Sequence, residues 1–245
     1  MKNQLDTVIG TSRLDEAESL RAYIAFVLGM QPQSLLDIGF GHGELLKAAD
    51  ERGIRSYGID VNDGPHPLLQ GSGVKTFRAN AENPGGPSNS FDFVTIRHTL
   101  HHLPSPRRCL EEARRLARAL IIVSEVQWDM SKPENALASN IDHWHKKVDR
   151  HLGVFHENPL EIEEILNLGQ SVGMAPVTRV RFTGVMKADN HTIASQLSSR
   201  LSGLDEHPDL QSEGLMLLEM SRHEETASRI SETVVFRKDQ TERRE

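Results

Sequence analysis

Residues 35–44 read Leu35-Leu36-Asp37-Ile38-Gly39-Phe40-Gly41-His42-Gly43-Glu44, and this stretch decides the fold. The apolar residues before the first glycine form a short run typical of a buried strand. A helical pattern begins directly after the third glycine. A strand, a glycine turn and a helix in this order present free backbone N–H groups to a ligand. Glycine suits the turn because it adopts a positive φ and lets a ligand approach the backbone closely.

The spacing of the three glycines distinguishes two classes of nucleotide site. Gly39, Gly41 and Gly43 give G-x-G-x-G, whereas the dinucleotide fingerprint requires G-x-G-x-x-G/A. NAD-dependent redox chemistry is therefore disfavoured. Residues 37–43 resemble the first motif of the class I S-adenosylmethionine-dependent methyltransferases, D/E-x-G-x-G-x-G, at every fixed position. The resemblance implies S-adenosylmethionine as cofactor and an α/β fold, with a doubly wound, mostly parallel, seven-stranded sheet and helical insertions.

Two further segments extend the resemblance. Asp60 ends the strand predicted over residues 55–60, about twenty residues beyond the glycines, where an acid accepts the ribose hydroxyls of a nucleoside cofactor. Residues 80–82 read Asn-Ala-Glu and resemble the family's adenine contact, G/A-D-A-E, with Asn in the place of Asp. An amide oxygen still accepts a hydrogen bond, so we expect cofactor binding to survive this change.

Residues 91–104 resemble the family segment F-D-x-V followed by L-H-H-L. By this resemblance, the backbone around residues 97–98 lines the methionine end of the cofactor. The complete set of cofactor-binding residues implied in this way is Asp37, Gly39, Phe40, Gly41, Gly43, Asp60, Val61, Asn80, Ala81, Glu82, Arg97 and His98.

Composition narrows the class of partner. A chain of 245 residues fits one large α/β domain over residues 1–245, and its net charge of −7 disfavours nucleic acid or an anionic membrane as partner. The single cysteine, Cys109, excludes a disulfide framework and a cysteine-based metal site. The sequence has neither a signal-peptide core at its start nor an apolar run of membrane-spanning length. We therefore expect a cytoplasmic protein with no nucleic-acid or membrane partner.

The chain contains 12 histidines, and they supply the candidates for a catalytic base. His101 and His102 belong to the L-H-H-L segment, where at least one histidine is expected to be structural. His143 and His145 belong to a second group that also includes Asp142, His151 and His156. The four histidines and the Asp of this second group could hold a divalent metal. A helix predicted over residues 135–147 would splay the rings of its two histidines apart, so we predict no metal.

Three segments lie outside the motifs. A helix predicted over residues 12–29 is expected to pack over the cofactor, and insertions 127–157 and 186–230 are expected to form the acceptor pocket. The second insertion should contain two helices, one from Asn190 to Gly203 and one opening at Pro208. The second of these helices carries more apolar residues than one core stripe needs. The surplus must face a partner subunit, as in a homodimer, or the first insertion, or a ligand.

The predicted function is methyl transfer from S-adenosylmethionine to a small-molecule acceptor at oxygen, nitrogen or carbon. One alternative is methylation of a protein or an RNA, and the RNA is disfavoured by the net charge and by an aromatic content of 5%. Another alternative is a non-catalytic protein that binds S-adenosylmethionine.

Overall fold

Eight strands form one sheet in the part of the chain that the computed structural model describes, residues 6–14, 16–62, 66–128, 130, 135–184, 190–222 and 229–239. The strands are β1 (Asp6–Leu14), β2 (Ser34–Ile38), β3 (Arg55–Asp60), β4 (Lys75–Arg78), β5 (Phe91–Arg97), β6 (Ala117–Trp128), β7 (Met174–Gly184) and β8 (Arg229–Lys238). Their order across the sheet is β1-β7-β8-β6-β5-β2-β3-β4. Among these strands only β8 runs antiparallel to its neighbours.

Seven α-helices accompany the sheet in the same described ranges. They are α1 (Glu16–Gly29), α2 (Glu44–Asp50), α3 (Pro106–Leu116), α4 (Asn135–His151), α5 (Ile162–Ser171), α6 (Asn190–Leu201) and α7 (Pro208–Met220). Short 3-10 turns occur at Pro67–Leu69 and Leu100–His102. None of the described helices is both long enough and apolar enough to cross a lipid bilayer.

The central strand β2 is buried on both faces because helices cover both sides of the sheet. Successive side chains of a strand point to opposite faces. Leu35 accordingly joins a core cluster with residues of α1 and α2, and Leu36 joins a second cluster with residues of α3 and α5. A parallel strand covered in this way reads as a continuous apolar run, as β2 does. The predicted doubly wound, mostly parallel α/β sheet is confirmed.

The start of the chain departs from the prediction. Residues 12–14 belong to β1, and the first helix begins at Glu16, so the predicted helix start at Ser12 is wrong. β1 pairs in parallel with β7 and adds an eighth strand to the edge of the seven predicted ones. Residues 7–9, Thr-Val-Ile, are β-branched and suit a strand, but the partner that fixes them lies about 170 residues away along the chain.

Helices α4, α6 and α7 pack together around a separate apolar cluster, and we call them the three-helix insertion. Trp144 of α4 is fully buried there, and its indole Nε1–H donates to the Leu210 carbonyl at 2.8 Å. A Cβ at Gly214 of α7 would lie 2.4 Å from the Trp144 ring, so the two helices approach closely. The two helices predicted between residues 186 and 230 are confirmed.

The apolar surplus of α7 divides between two environments. Leu217 is buried against residues of α4 and α6. Because α4 belongs to the first insertion, this contact is one of those predicted. Leu215 and Met216 remain more than half exposed. The sheet also extends into both predicted insertions, because β6 continues to Trp128 and β8 begins at Arg229.

Candidate active site

The glycine loop between β2 and α2 has left-handed backbone at all three glycines, with φ of 71°, 54° and 88°. At Gly39 a Cβ would lie 2.3 Å from Thr99 Oγ1, so the loop can rest against the residue after β5 only because the side chain is absent. At Gly41 no described atom lies within 4 Å of a built Cβ. The space over Gly41 is therefore open, and a ligand can approach the backbone there.

Asp60 lies beside this loop, as the sequence predicts. The Gly41 N–H donates to Asp60 Oδ2 at 3.3 Å, and Asp60 Oδ1 accepts from the backbone and side-chain nitrogens of Asn62 at 3.0 Å each. The neighbouring Val61 is 59% exposed. A carboxylate offers about four lone-pair positions, so Asp60 retains acceptor capacity for a polyhydroxyl ligand. Asn62, which orients the carboxylate, was not among the predicted site residues.

Asp37 occupies a buried position at the carboxyl half of β2. Thr95 Oγ1 donates to Asp37 Oδ1 at 2.7 Å, and burial raises the pKa of Asp37 to about 7. Asp37 interacts electrostatically with Arg97 and with Tyr23 of α1. The predicted motif residue is thus the acidic member of a buried polar group beneath the glycine loop.

Two donors of that group have no partner within the described structure. Tyr23 Oη and Arg97 Nε are both buried and make no hydrogen bond there, and the guanidinium carbon lies 5.5 Å from the centre of the Tyr23 ring. Burial raises the pKa of the Tyr23 hydroxyl, so the hydroxyl remains a donor. Buried donors are normally completed by a polar ligand group or an ordered water. An S-adenosylmethionine methionine end, which carries a carboxylate, suits this group.

Residues 80–82 adjoin the end of β3, because the Ala79 N–H donates to the Asp60 carbonyl at 2.9 Å. Asn80 Oδ1 accepts from the Glu82 N–H at 2.8 Å, which uses one of the two lone pairs of the amide oxygen. Glu82 Oε1 accepts from the Ser105 N–H at 2.7 Å, so this side chain fixes the loop to the start of α3. Ala81 is buried.

Phe40 and His98 have structural contacts of their own. The Phe40 ring is buried against Gly58 of β3, where a Cβ would lie 2.7 Å from the ring. His98 adopts φ of 51°, which is rare for a residue other than glycine, and its Nε2 lies 3.0 Å from Ser231 Oγ. The backbone N–H of His98 donates to the Ser124 carbonyl at 2.8 Å. Any cofactor contact of these two residues is therefore expected through the backbone.

His101 and His102 form a cluster with His156, which lies in the segment after α4. The ring centres are 4.2 Å apart for His101 and His102, 4.2 Å for His102 and His156, and 5.4 Å for His101 and His156. His101 Nδ1 lies 2.7 Å from Glu125 Oε2, and His156 Nδ1 lies 2.6 Å from Asp149 Oδ2. We call these three imidazoles the histidine cluster.

The histidine cluster is partly held in the neutral form. Burial, together with the neighbouring His101 and His156, lowers the pKa of His102 to about 4. Burial also lowers the pKa of His156, against the opposing effect of Asp149. A neutral imidazole has one nitrogen that accepts a hydrogen bond or a proton.

The other two predicted catalytic residues lie elsewhere on α4. His143 is exposed, and the structure does not bring it to the cluster. Burial lowers the pKa of His145 to about 4, as does Arg200, and His145 Nδ1 is buried without a hydrogen-bond partner among the described residues. Sequence reasoning named His156 in the second group but did not bring it together with His101 and His102, and it did not select Glu125. The sequence did contain one indication of Glu125, because this acid closely follows the apolar run of the fifth predicted strand.

The glycine loop, Asp60 and the buried polar group therefore lie together at the carboxyl ends of β2, β3 and β5 in a doubly wound sheet. This is the architecture of the class I methyltransferases. The sequence model of the methyltransferase domain family matches residues 13–174, and the chain belongs to this family. The predicted resemblance is confirmed.

Individual relatives agree with the family. The chain is 32% identical over 113 residues to a protein named ubiquinone biosynthesis O-methyltransferase from Saccharophagus degradans, a match covering 43% of this chain and 48% of the relative. The chain thus spans about half the length of the curated relatives it matches. The YcgJ protein from Bacillus subtilis has a similar fold, with a TM-score of 0.62 at 15% identity, over 90% of this chain and 99% of that one. A geranyl diphosphate methyltransferase in complex with S-adenosylmethionine superimposes with a TM-score of 0.51 at 14% identity, over 89% of this chain and 84% of that one.

Proposed function

We propose that this protein transfers a methyl group from S-adenosylmethionine to a hydroxyl oxygen of a small-molecule acceptor. The observation that supports this function best is the placement of two features at one edge of the sheet. The open glycine loop follows β2, and the histidine cluster follows the adjacent strand β5. A cofactor on the loop and an acceptor at the cluster would be neighbours.

The chemistry of methyl transfer fits this arrangement. S-adenosylmethionine supplies an electrophilic methyl carbon on a sulfonium, and the protein chiefly holds the acceptor in line with it and excludes water. Asp60 accepts hydrogen bonds from the ribose hydroxyls, and the ligand lies against the Gly41 backbone. Tyr23 and Arg97 offer donors near the methionine carboxylate. Each of these roles uses an acceptor or donor that the protein leaves at the site.

An acceptor hydroxyl needs help to lose its proton because its pKa is high. The histidine cluster is the group placed to provide this help, and His101 is oriented by the buried Glu125 carboxylate. The name of the curated relatives, O-methyltransferase, favours oxygen over nitrogen and carbon as the methylated atom. His143 is not assigned a role because it is exposed and away from the cluster.

A small molecule is preferred over a nucleic acid as acceptor. The arginine-rich helix α3 and the residues just after it are the strongest candidate for a basic surface, but three of these arginines have acidic partners. Arg107 pairs with Glu111, Arg115 with Glu112, and Arg118 with Asp92. Paired guanidinium groups give little net attraction for phosphates.

Calorimetry with S-adenosylhomocysteine tests the cofactor assignment. We expect binding in the micromolar range, about −7 to −8 kcal/mol, and no binding of NAD. The variant Gly41→Ala should lose at least tenfold in affinity. Gly53→Ala is a matched control, because Gly53 also has positive φ and open space for a Cβ but lies in the turn between α2 and β3. Equal affinities for the two variants would overturn the assignment of the loop.

The acceptor is tested with a panel of phenols and aliphatic alcohols incubated with the protein and S-adenosylmethionine. Mass spectrometry should detect an added methyl group on oxygen and an equal amount of S-adenosylhomocysteine. Cofactor binding without transfer to any hydroxyl compound, but with transfer to amines or to added protein, would contradict the oxygen assignment.

A further inference from the structure

The histidine cluster has the composition of a metal site. His101, His102 and His156 each offer a ring nitrogen, and the three ligand atoms lie within 4.8 Å of one another. We propose that these three imidazoles bind a divalent transition-metal ion of the zinc class. This site differs from the sequence-based prediction of no metal, which placed His156 in a group with His143, His145 and His151 and treated His101 and His102 separately.

The distances allow three bonds to one ion after small ring rotations. Zinc binds imidazole nitrogen at about 2.0–2.1 Å, so two ligand nitrogens in a tetrahedral site are about 3.4 Å apart. The nitrogens must therefore approach one another by up to about 1.4 Å. The rings are partly stacked, with interplanar angles of 25° to 40°, so rotation about χ2 must also turn their in-plane nitrogen lone pairs toward the ion.

Carboxylates orient two of the three ligands. The Nδ1 atoms of His101 and His156 are each bonded to a carboxylate, Glu125 at 2.7 Å and Asp149 at 2.6 Å. Each carboxylate fixes the proton on Nδ1 and leaves the lone pair on Nε2, the atom that would face the ion. Metal-binding histidines usually have such a carboxylate or carbonyl partner on the second nitrogen.

The backbone around the cluster is fixed without any contribution from an ion. The Glu157 N–H donates to the His101 carbonyl at 2.8 Å, which joins the segment after α4 to the 3-10 turn after β5. Glu125 Oε1 accepts from the Leu100 N–H at 2.8 Å, and Asp149 is paired with Arg200. The ligands are therefore held in place by contacts that persist in the metal-free protein.

The surrounding charges also suit a cation. Glu125, Asp149, Asp142 and Glu157 are the nearby carboxylates. Lys146, Arg200 and Arg150 are the nearby cations, and they pair with Asp142, Asp149 and Glu157. Four carboxylates against three cations leave an excess of one negative charge before an ion binds. His102 lies on the exposed side of the cluster, so a fourth position is accessible to an oxygen ligand.

A site with three protein ligands and one open position is the arrangement found in catalytic zinc sites. An ion at this place would hold the acceptor hydroxyl and lower its pKa, so that the proton passes to solvent. In the metal-bound protein the histidine cluster would thus help the hydroxyl through the ion and not as a base itself. This role rests on the proposed function, whereas metal binding itself does not.

Cobalt substitution tests the site directly. The tag-free protein is stripped with a chelator and titrated with Co²⁺, while the visible absorption and the bound metal are measured. We expect one Co²⁺ per chain, with the intense visible bands of a four-coordinate ion, and displacement by Zn²⁺. The variants His102→Ala and His156→Ala should weaken binding at least 100-fold, and Asp149→Asn by about 10- to 100-fold.

Two control variants separate this site from other histidines. His143→Ala removes an exposed histidine of α4, and His151→Ala removes one member of an exposed pair in which the Nε2 atoms of His151 and His207 are 2.8 Å apart. Both should bind Co²⁺ as the unmodified protein does. Loss of the bands in His151→Ala with retention in His102→Ala would overturn the assignment, as would substoichiometric binding to the unmodified protein.

S-adenosylhomocysteine affinity is measured in parallel to separate the two proposals. His102→Gln is included because His102 is exposed and its replacement should leave the fold intact. It should lose the Co²⁺ bands and keep its S-adenosylhomocysteine affinity. Cofactor binding that is absent from a protein with an intact Co²⁺ site would remove the proposed function and leave the metal site standing. Retained Co²⁺ bands in folded His102→Gln and His156→Ala would overturn the metal site alone.

Discussion

The glycine loop and the three-helix insertion both follow the carboxyl ends of parallel strands, but they depend on sequence in different ways. The loop is built from consecutive residues whose backbone conformation requires glycine, so its geometry is local. The insertion is built from helices that contact one another across 70 residues of chain, through Trp144 and Gly214. The difference suggests that the loop determines cofactor binding, whereas the insertion determines the acceptor. Each region should therefore be separable from the other by mutation.

The largest effect is expected from Trp144→Ala. This fully buried side chain is central to the apolar cluster of the insertion, and its truncation should lower the free energy of unfolding by about 3–5 kcal/mol. Urea denaturation measures this loss. Leu215→Ala is the control, because Leu215 is exposed on α7 and should change stability by less than about 0.5 kcal/mol.

The same variant tests whether the two regions are separable. At a temperature where Trp144→Ala remains folded, we expect S-adenosylhomocysteine affinity close to that of the unmodified protein and a large fall in kcat/KM for the acceptor. A parallel loss of cofactor affinity would show that the insertion also shapes the loop.

The second-largest effect is expected on the pH dependence of stability, through the buried Asp37 beneath the glycine loop. Its pKa is raised from 3.8 to about 7 in the folded protein, so the folded state holds a proton that the unfolded state has released between these values. The contribution of this group to stability is therefore fully present below about pH 4 and is lost as the pH rises through 7. About three pKa units correspond to at most about 4 kcal/mol.

Asp37→Asn should remove this dependence. An amide oxygen can still accept from Thr95, so we expect the variant to be more stable than the unmodified protein at pH 8 and similar to it at pH 4. Thermal unfolding across pH 4–8 measures the difference. Identical pH profiles for the two proteins would contradict the raised pKa.

The smallest effect is expected on cofactor affinity, from substitutions of the two predicted contacts Asp60 and Asn80. Asp60 adjoins the loop and retains acceptor capacity, whereas Asn80 already accepts a hydrogen bond from Glu82. Asp60→Asn should weaken S-adenosylhomocysteine binding by about 1.5–3 kcal/mol, and Asn80→Ala by about 1 kcal/mol or less. Calorimetry on both variants decides the order. A larger loss for Asn80→Ala would indicate that the cofactor is anchored mainly at its adenine end.

The sequence by itself determined seven of the strands along the chain, the mostly parallel sheet, the glycine loop and the position of Asp60. Periodicity and glycine spacing are local properties, and a parallel sheet with right-handed crossovers leaves few arrangements for strands in this order. The start of the first helix could not be found in the same way. Residues 6–14 form a strand because β7 is available to pair with them, and β7 is supplied by the far end of the chain.

The histidine cluster likewise combines residues that local sequence identifies with residues that only the tertiary structure brings together. The sequence identified His101 and His102 from a local motif, and it selected His143 and His145 from their proximity to each other along the chain. Only the tertiary structure brought His156 to the pair and placed Glu125 and Asp149 behind the rings. His101 lies 24 residues from Glu125 and 55 residues from His156 along the chain, and the bond from the Glu157 N–H to the His101 carbonyl holds the segment after α4 beside it. Their contact depends on loop closures that no local pattern encodes.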